Sequence, residues 1–272
     1  MPPVRIPLPS YHNHTRWSDG VASVEEFITA ASAQVAEIGI SDHFVLSPYG
    51  SVEWTMPVDR LGEYVDNVRR CAEAYQDVPV RLGVEADYFP ETAGDLAHQI
   101  RKYPFDYVIG AVHFVGRFPL DSRAADWATL APHQVDEIWR QYWRLVAQMA
   151  ATGIFDIVAH LDLPKKFGYR PSVDFPTETE QALDAIRDAG MAIEINTAGW
   201  ALPAAEQYPS RQLLQAAYAR AIPIIISADA HRPDYVLSSF GKALDLARAV
   251  GYCGSCRFCR RSRSEVPFPA EE

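Results

Sequence analysis

The chain has 272 residues, 48% of them hydrophobic, which is enough for one large core without division into domains. A formal net charge of −10 repels polyanions at long range, so neither nucleic acid nor an anionic membrane surface is expected as a partner. The most apolar stretch, Ala221 to Ala228, falls far short of the ~20 residues of a spanning helix.

The opening residues MPPVRIPLPS lack the apolar centre of a signal peptide, and four cysteines do not make a secreted disulfide framework, so a cytoplasmic location is the expectation. From there one rhythm repeats along the chain. An apolar, β-branched run ends on His, Asp, Glu or Asn, and an amphipathic helical stretch follows. The first run, Leu8 to Asn13, leads into Tyr11-His12-Asn13-His14 and then Asp19-Gly20. Side chains two apart on an extended segment point the same way, so His12 and His14 can reach one metal ion. Ser23 and Glu26 predict a capped helix from about residue 23 to 36. Glu37 to Ile40 then ends on Ser41-Asp42-His43. Residues 44–57, rich in Pro, Gly, Ser and aromatics, read as a long functional loop.

Helices over about 58–75 and 92–102 precede Val80 to Val84, ending on Glu85, and Tyr107 to Val112, ending on His113. A second loop, 114–131, holds Arg117, Asp121 and Arg123. A helix over 132–151 is closed by Gly153 and followed by Ile154 to Ala159, ending on His160. A loop with Lys165 and Lys166 comes next, then a helix over 177–189, a run Met191 to Ile195 carrying Glu194 and ending at Asn196, a helix over 210–220, and Ile222 to Ser227, ending on Asp229 and His231. A helix over 234–250 closes the series, and residues 251–272 form an extension.

Strands alternating with helices predict parallel strands joined by right-handed crossovers, an α/β fold. Polar groups at the end of every run, rather than at one switch point, favour a barrel over an open doubly wound sheet. No dinucleotide or phosphate-binding glycine loop occurs.

Of eight histidines, six (His12, His14, His43, His113, His160 and His231) fall at the ends of predicted strands. Adding Asp19, Glu85 and Asp229 makes nine nitrogen and oxygen ligand candidates on one rim. Nine exceed the needs of a single catalytic ion and suit two or three. Imidazole with carboxylate and no thiolate fits Zn, Mn or Fe better than Mg or Ca.

In order, the motifs H-x-H…D-G, S-D-H, G-x-E-x-D-Y-F-P, G-A-V-H-F, D-I-x-A-H-L-D, E-I-N-T-A-G and S-A-D-A-H-R-P resemble the polymerase-and-histidinol-phosphatase (PHP) superfamily, and within it the histidinol-phosphate phosphatase branch. The resemblance runs from about residue 8 to 252. It implies a distorted seven-stranded (β/α)7 TIM-like barrel in a single domain, spanning about residues 8–250, with three divalent transition-metal ions. His12, His14, Glu85 and Asp229 would hold one ion, Glu85, His113 and His160 the second, and Asp19, His43 and His231 the third. The implied reaction is hydrolysis of L-histidinol phosphate in histidine biosynthesis, by a hydroxide shared between ions, with Glu85, Asp229 and His231 as catalytic residues, and Arg232 joins them because it directly follows His231. Arg16, Arg117, Lys165 and Arg232 are the rim cations expected to meet the phosphate of a small-molecule substrate. Asp42 and Asp162 are candidates for orienting ligands, and Asp87, Tyr88, Glu53 or Trp54 for receiving imidazole and ammonium groups.

Two other functions compete. One is a different phosphoesterase of the same superfamily, acting on nucleotides, oligonucleotides or phosphotyrosine. The other is a non-catalytic metal-binding module, which the full ligand set argues against. The tail Cys253-Gly254-Ser255-Cys256-Arg257-Phe258-Cys259 has the spacing of a metal knuckle but lacks a fourth thiolate, so it reads as a terminal strand with incidental cysteines, then a basic stretch and a frayed end.

Overall fold

The computed structural model describes residues 7–270. The first six residues of the Pro-rich lead and the last two of the tail, expected to fray, lie outside the described residues. The strands are β1 (Pro9–Ser10), β2 (Glu37–Ile40), β3 (His43–Phe44), β4 (Val80–Leu82), β5 (Glu85–Asp87), β6 (Ile109–Ala111), β7 (Phe114–Val115), β8 (Phe118–Pro119), β9 (Ile157–Val158), β10 (Ala192–Asn196), β11 (Ile224–Ser227), β12 (Gly254–Cys259) and β13 (Ser262–Pro267). The helices are α1 (Val24–Ala31), α2 (Leu61–Ala74), α3 (Ala93–Ile100), α4 (Ala124–Ala128), α5 (Pro132–Ala151), α6 (Pro176–Asp188), α7 (Arg211–Ala219) and α8 (Phe240–Val250).

Two parallel sheets carry the fold, one ordered β1-β2-β4 and the other β11-β10-β9-β6-β5-β3. Only Ser41-Asp42 separates β2 from β3, and only Gly83-Val84 separates β4 from β5. Backbone hydrogen bonds continue across both breaks: Ser41 N donates to Asn13 O at 3.0 Å, Gly83 N to Ile40 O at 2.8 Å and Glu85 N to Ser41 O at 3.1 Å. At the far edges Asn13 bridges Ala230 in parallel, with His14 N donating to Ala230 O at 2.9 Å and Ala230 N to His12 O at 3.0 Å.

The strands are buried on both faces, as their unbroken apolar runs require. The outer face packs on the helices. The longest helix, α5, buries Val135, Trp139, Tyr142, Trp143, Val146 and Met149 along one stripe of helical spacing. The Ser23–Glu26 capping box forms as the sequence implies, with Glu26 N donating to Ser23 Oγ and Ser23 N to Glu26 Oε2.

Inside the strands a second apolar cluster gathers Tyr11, Tyr107, Ile109, Ile157, Ile225 and Phe258. Tyr107 Oη donates to Tyr11 O at 2.5 Å, and its ring lies so close to Gly83 that a Cβ there would sit 2.1 Å from Tyr107 Cζ. Any larger residue at 83 would displace the ring.

Three expectations change. The loop at 114–131 contains the β7–β8 hairpin and α4, pinned where Trp127 Nε1 donates to Leu120 O at 2.9 Å. The last helix starts at Phe240, not near 234, after a short 3-10 turn at Pro233–Tyr235. The tail is an antiparallel hairpin, β12 with β13, whose turn puts Arg260 and Arg261 at positive φ.

That hairpin sits under the N-terminal ends of the parallel strands. Arg260 N donates to Asp106 Oδ1 and Arg261 N to Asp106 O, just before β6. Arg261 pairs with Asp156 before β9, and Arg257 pairs with Glu37 in β2. Alternation along β12 buries Cys256 and Phe258 and leaves Cys259 exposed. The cysteines are free thiols and none joins the potential metal-binding groups among the described residues.

Candidate metal centre

The segment after β1 turns sharply between His14 and Gly20. A Cβ at Gly20 would lie 1.9 Å from His14 O, so only glycine closes this turn. Asp42, fully buried, holds the same loop by accepting from Thr15 N at 2.7 Å, Thr15 Oγ1 at 2.8 Å, Ser18 N at 3.1 Å and Ser18 Oγ at 2.7 Å. Asp42 therefore positions the Asp19 loop, a different task from orienting His43. Asp229 follows β11 in the left-handed region, at φ 52, a conformation that short polar side chains tolerate best.

All nine ligand candidates converge at the C-terminal ends of the strands. Glu85 is at the centre. Its Oε2 lies 3.1 Å from His12 Nε2, 3.5 Å from His14 Nε2 and 2.8 Å from His43 Nδ1. Its Oε1 lies 3.0 Å from His160 Nε2 and 3.7 Å from His113 Nε2. Asp229 Oδ1 is 3.1 Å from His14 Nε2 and 3.6 Å from His12 Nε2. Asp19 Oδ1 is 3.2 Å from His231 Nε2 and 3.8 Å from His43 Nε2. Three groups of donors lie close enough to hold an ion: His14, Asp19, His43 and His231; His12, His14 and Glu85; and His43, Glu85 and His113.

The electrostatics favour cations here. Burial opposes ionisation of Glu85, but His12 and His43 outweigh it and hold the carboxyl well below its usual range. Asp229 is likewise held well below its range, chiefly by His12 and His14 against the effect of burial. Burial, reinforced by His43 and His231, pushes His14 down to about 3, leaving a neutral ring with a lone pair to offer. Buried and without hydrogen-bond partners are His12 Nε2, both ring nitrogens of His14, His43 Nδ1, Glu85 Oε2 and Asp229 Oδ1. Native interiors rarely leave so many polar atoms unsatisfied. A set of imidazoles and carboxylates in this state fits divalent transition metals.

Behind the donors stands an orienting layer that the sequence did not assign. Glu194, buried within β10, receives His12 Nδ1 at 2.6 Å and His160 N at 2.7 Å, and Ser227 Oγ also bonds it. Asn196 Nδ2 donates to Glu194 Oε2 at 3.0 Å and Asp229 Oδ2 at 3.2 Å, turning the other Asp229 oxygen toward His12 and His14. Asp87 Oδ1 meets His113 Nδ1 at 2.5 Å, so Asp87 fixes a histidine, and it is buried outside the cavity lining. The available signal was a charged residue inside an apolar strand run.

A cavity of about 350 Å³ opens over the donors, the size of a small-ligand pocket. Its walls include Trp54, Asp121, Leu163, Lys166 and Tyr208. Lys166 Nζ lies 3.3 Å from Asp121 Oδ2. The neighbouring Lys165 corrects an expectation. It is fully buried outside the cavity wall, and its ammonium donates to Asp162 Oδ2, Glu206 Oε2 and Gln207 O. Asp162 Oδ2 instead accepts from the Lys165 ammonium and from Ser210 N. Arg16 is exposed and pairs with Glu26, Arg117 stacks over Tyr49, and Arg232 lies beside Asp234 and Tyr235. None of the three lines the cavity. Of the loop aromatics and acids, Trp54 reaches the cavity, where its ring meets those of His43 and His113 edge-on, whereas Glu53 and Tyr88 do not.

Parallel α/β architecture with a rim of imidazoles and carboxylates defines a metallohydrolase-like site, and the chain belongs to the PHP domain family, whose sequence profile matches residues 10–198. It is similar to the probable histidinol-phosphatase of Deinococcus radiodurans, 34% identical over 223 residues that cover 82% of this chain and 85% of that protein. It is also similar to the probable histidinol-phosphatase of Clostridium acetobutylicum, at 26% identity over 68% of this chain and 71% of that protein. The fold matches the crystal structure of histidinol phosphate phosphatase from Lactococcus lactis complexed with zinc, L-histidinol and phosphate. The TM-score is 0.81 at 20% identity, covering 94% of this chain and 98% of that one. Among the described residues no helix is long and apolar enough to cross a membrane.

Proposed function

We propose that the chain is a metal-dependent phosphomonoester hydrolase that converts L-histidinol phosphate and water to L-histidinol and phosphate, a histidinol-phosphatase of histidine biosynthesis acting in the cytoplasm. The observation that carries this reading is the set of buried, unpartnered imidazole and carboxylate atoms beneath a small-molecule cavity. Family membership and the similarity to probable histidinol-phosphatases narrow it to this substrate.

In this reading His12, His14, Glu85 and Asp229 would hold one ion, Glu85, His113 and His160 a second, and Asp19, His43 and His231 a third, with Zn, Mn or Fe as the fitting metals. When bound, such ions supply charge neutralisation on phosphoryl oxygens and lower the pKa of water. The chain's own residues do the rest. Glu194 and Asp87 hold His12 and His113 in one tautomer and one orientation. Asn196 directs one oxygen of Asp229 toward the donors. Lys166, in the cavity wall, is the cation that meets the substrate's phosphate, in place of Lys165. Asp121, paired with Lys166, offers a carboxylate to the substrate's ammonium group. Arg232 and Arg16 are left to attract the anionic substrate from solvent.

We also read the two sheets as one distorted seven-stranded barrel in a single domain over about residues 8–250, with residues 251–272 as an extension. Support comes from the hydrogen bonds that run on from β2 to β3 and from β4 to β5, and from the Asn13–Ala230 bridge joining the first and last parallel strands.

The test is phosphate release from a panel of histidinol phosphate, nucleoside monophosphates, a phosphotyrosine peptide and oligonucleotides. Histidinol phosphate is expected to be hydrolysed fastest. Faster turnover of any other member would assign the site to a different phosphoester.

A further inference from the structure

We propose that Tyr208 is a further substrate-binding residue, whose hydroxyl donates a hydrogen bond to a phosphoryl oxygen of the bound phosphomonoester. The proposal rests on the phosphomonoesterase reading above. Tyr208 is 2% exposed and lines the cavity, yet its Oη has no hydrogen-bond partner among the described residues. A buried hydroxyl without a partner is costly, and Tyr208 belongs to the wall of the cavity, so a ligand seated against that wall is the group that would complete it.

The rest of the residue is fixed. Tyr208 N donates to Asn196 O at 3.0 Å and Asn196 N to Tyr208 O at 2.7 Å. The Lys165 ammonium, itself held by Asp162, Glu206 and Gln207, lies 5.1 Å from the ring centroid. This gives Lys165 a task the sequence did not reveal: it braces the wall that Tyr208 forms. The ring packs edge-on to His160, with centroids 6.4 Å apart, and both residues line the cavity, so Tyr208 is a neighbour of the donor set. Asn196 thus links Asp229, through its side chain, to Tyr208, through its backbone.

The chemistry of the hydroxyl selects the partner. A phosphomonoester dianion presents only acceptors, and a phenol is a donor at neutral pH. Burial, with Asp162 and Asp229 nearby, pushes this phenol further above its usual value, so it keeps its proton. An alcohol or an imidazole can be bound elsewhere in the cavity without involving it.

The variant Tyr208→Phe keeps the ring and removes only the oxygen. Calorimetric titration of metal-loaded full-length protein with inorganic phosphate, and separately with L-histidinol, reads the contact directly. The expected result is a phosphate affinity about ten-fold weaker, a kcat/KM for histidinol phosphate lower by a similar factor, and a histidinol affinity within about two-fold of wild type. Phosphate affinity unchanged, or both ligands weakened equally, would overturn the proposal. A protein carrying 3-fluorotyrosine at 208, with a more acidic phenol in the same shape, guards against a packing defect in the phenylalanine variant. It is expected to bind phosphate more tightly than wild type, and unchanged binding counts against the contact. Wild-type protein that binds phosphate but leaves histidinol phosphate intact would refute the assigned substrate, while the two phosphate affinities still decide the role of Tyr208.

Discussion

The two ends of the parallel strands solve opposite problems. At the N-terminal ends, charged and phenolic groups pair with one another. Tyr11 Oη donates to Glu37 Oε2 at 2.9 Å and accepts from Phe258 N at 3.0 Å, while Arg81 and Arg257 both pair with Glu37. At the C-terminal ends, imidazoles and carboxylates crowd together, and His12, His14, His43, Glu85 and Asp229 keep buried atoms with no hydrogen-bond partner among the described residues. The same strands supply both ends, a few residues apart. The pairs at the floor hold the fold closed, and the clustered open donors at the rim are placed close enough together to hold an ion.

This contrast predicts that rim changes cost function and floor changes cost stability. The largest effect is expected from Glu85→Gln, which removes a charge central to the donor set. Turnover should fall by about a thousand-fold or more, and bound metal measured by mass spectrometry should fall with it. Retention of full metal content and activity would remove Glu85 from the centre. At the floor, Phe258→Ala should cost about 3–5 kcal/mol of unfolding free energy, read from denaturant titration, with turnover per folded molecule unchanged. A loss of metal in that variant, without unfolding, would break the separation of the two ends. Asp87→Asn removes an orienting partner but no ligand, so metal affinity or activity should fall by about 10–100-fold. An unchanged metal affinity and rate would leave Asp87 with a packing role only. The smallest effect is expected at the cavity wall, where Lys166→Met should raise KM about ten-fold and affect kcat less. If Lys165→Met did this while Lys166→Met did not, the assignment of the two lysines would be reversed.

The rim was legible because its residues interrupt a strong pattern. His, Glu or Asp ending an apolar run is conspicuous, and five such endings carrying six histidines define a surface from the sequence alone. The orienting residues were harder to read. Glu194 was visible as a charge inside a strand, but its partners, His12 and Ser227, lie far away in sequence. Lys165 and Lys166 are indistinguishable neighbours in the sequence. The short 3-10 turn at Leu163–Lys165 sends one into the interior and the other to the cavity. The terminal hairpin was legible by half: the cysteine segment reads as a strand and is one, with Cys256 and Phe258 inward, but its pairing with the basic stretch depends on a turn at Arg260 and Arg261 that the sequence does not signal. Tyr208 carries no local signal at all, since only the tertiary fold leaves its hydroxyl without a partner.

The most direct measurement is phosphate release from histidinol phosphate by metal-stripped protein as Zn, Mn or Fe is titrated back, with bound metal counted at each step. The expected result is no release without metal and a rise in activity that saturates at about three ions per chain. Full activity in the stripped protein, or saturated metal binding with no release, would contradict the assignment of the open rim to metal-dependent phosphate chemistry.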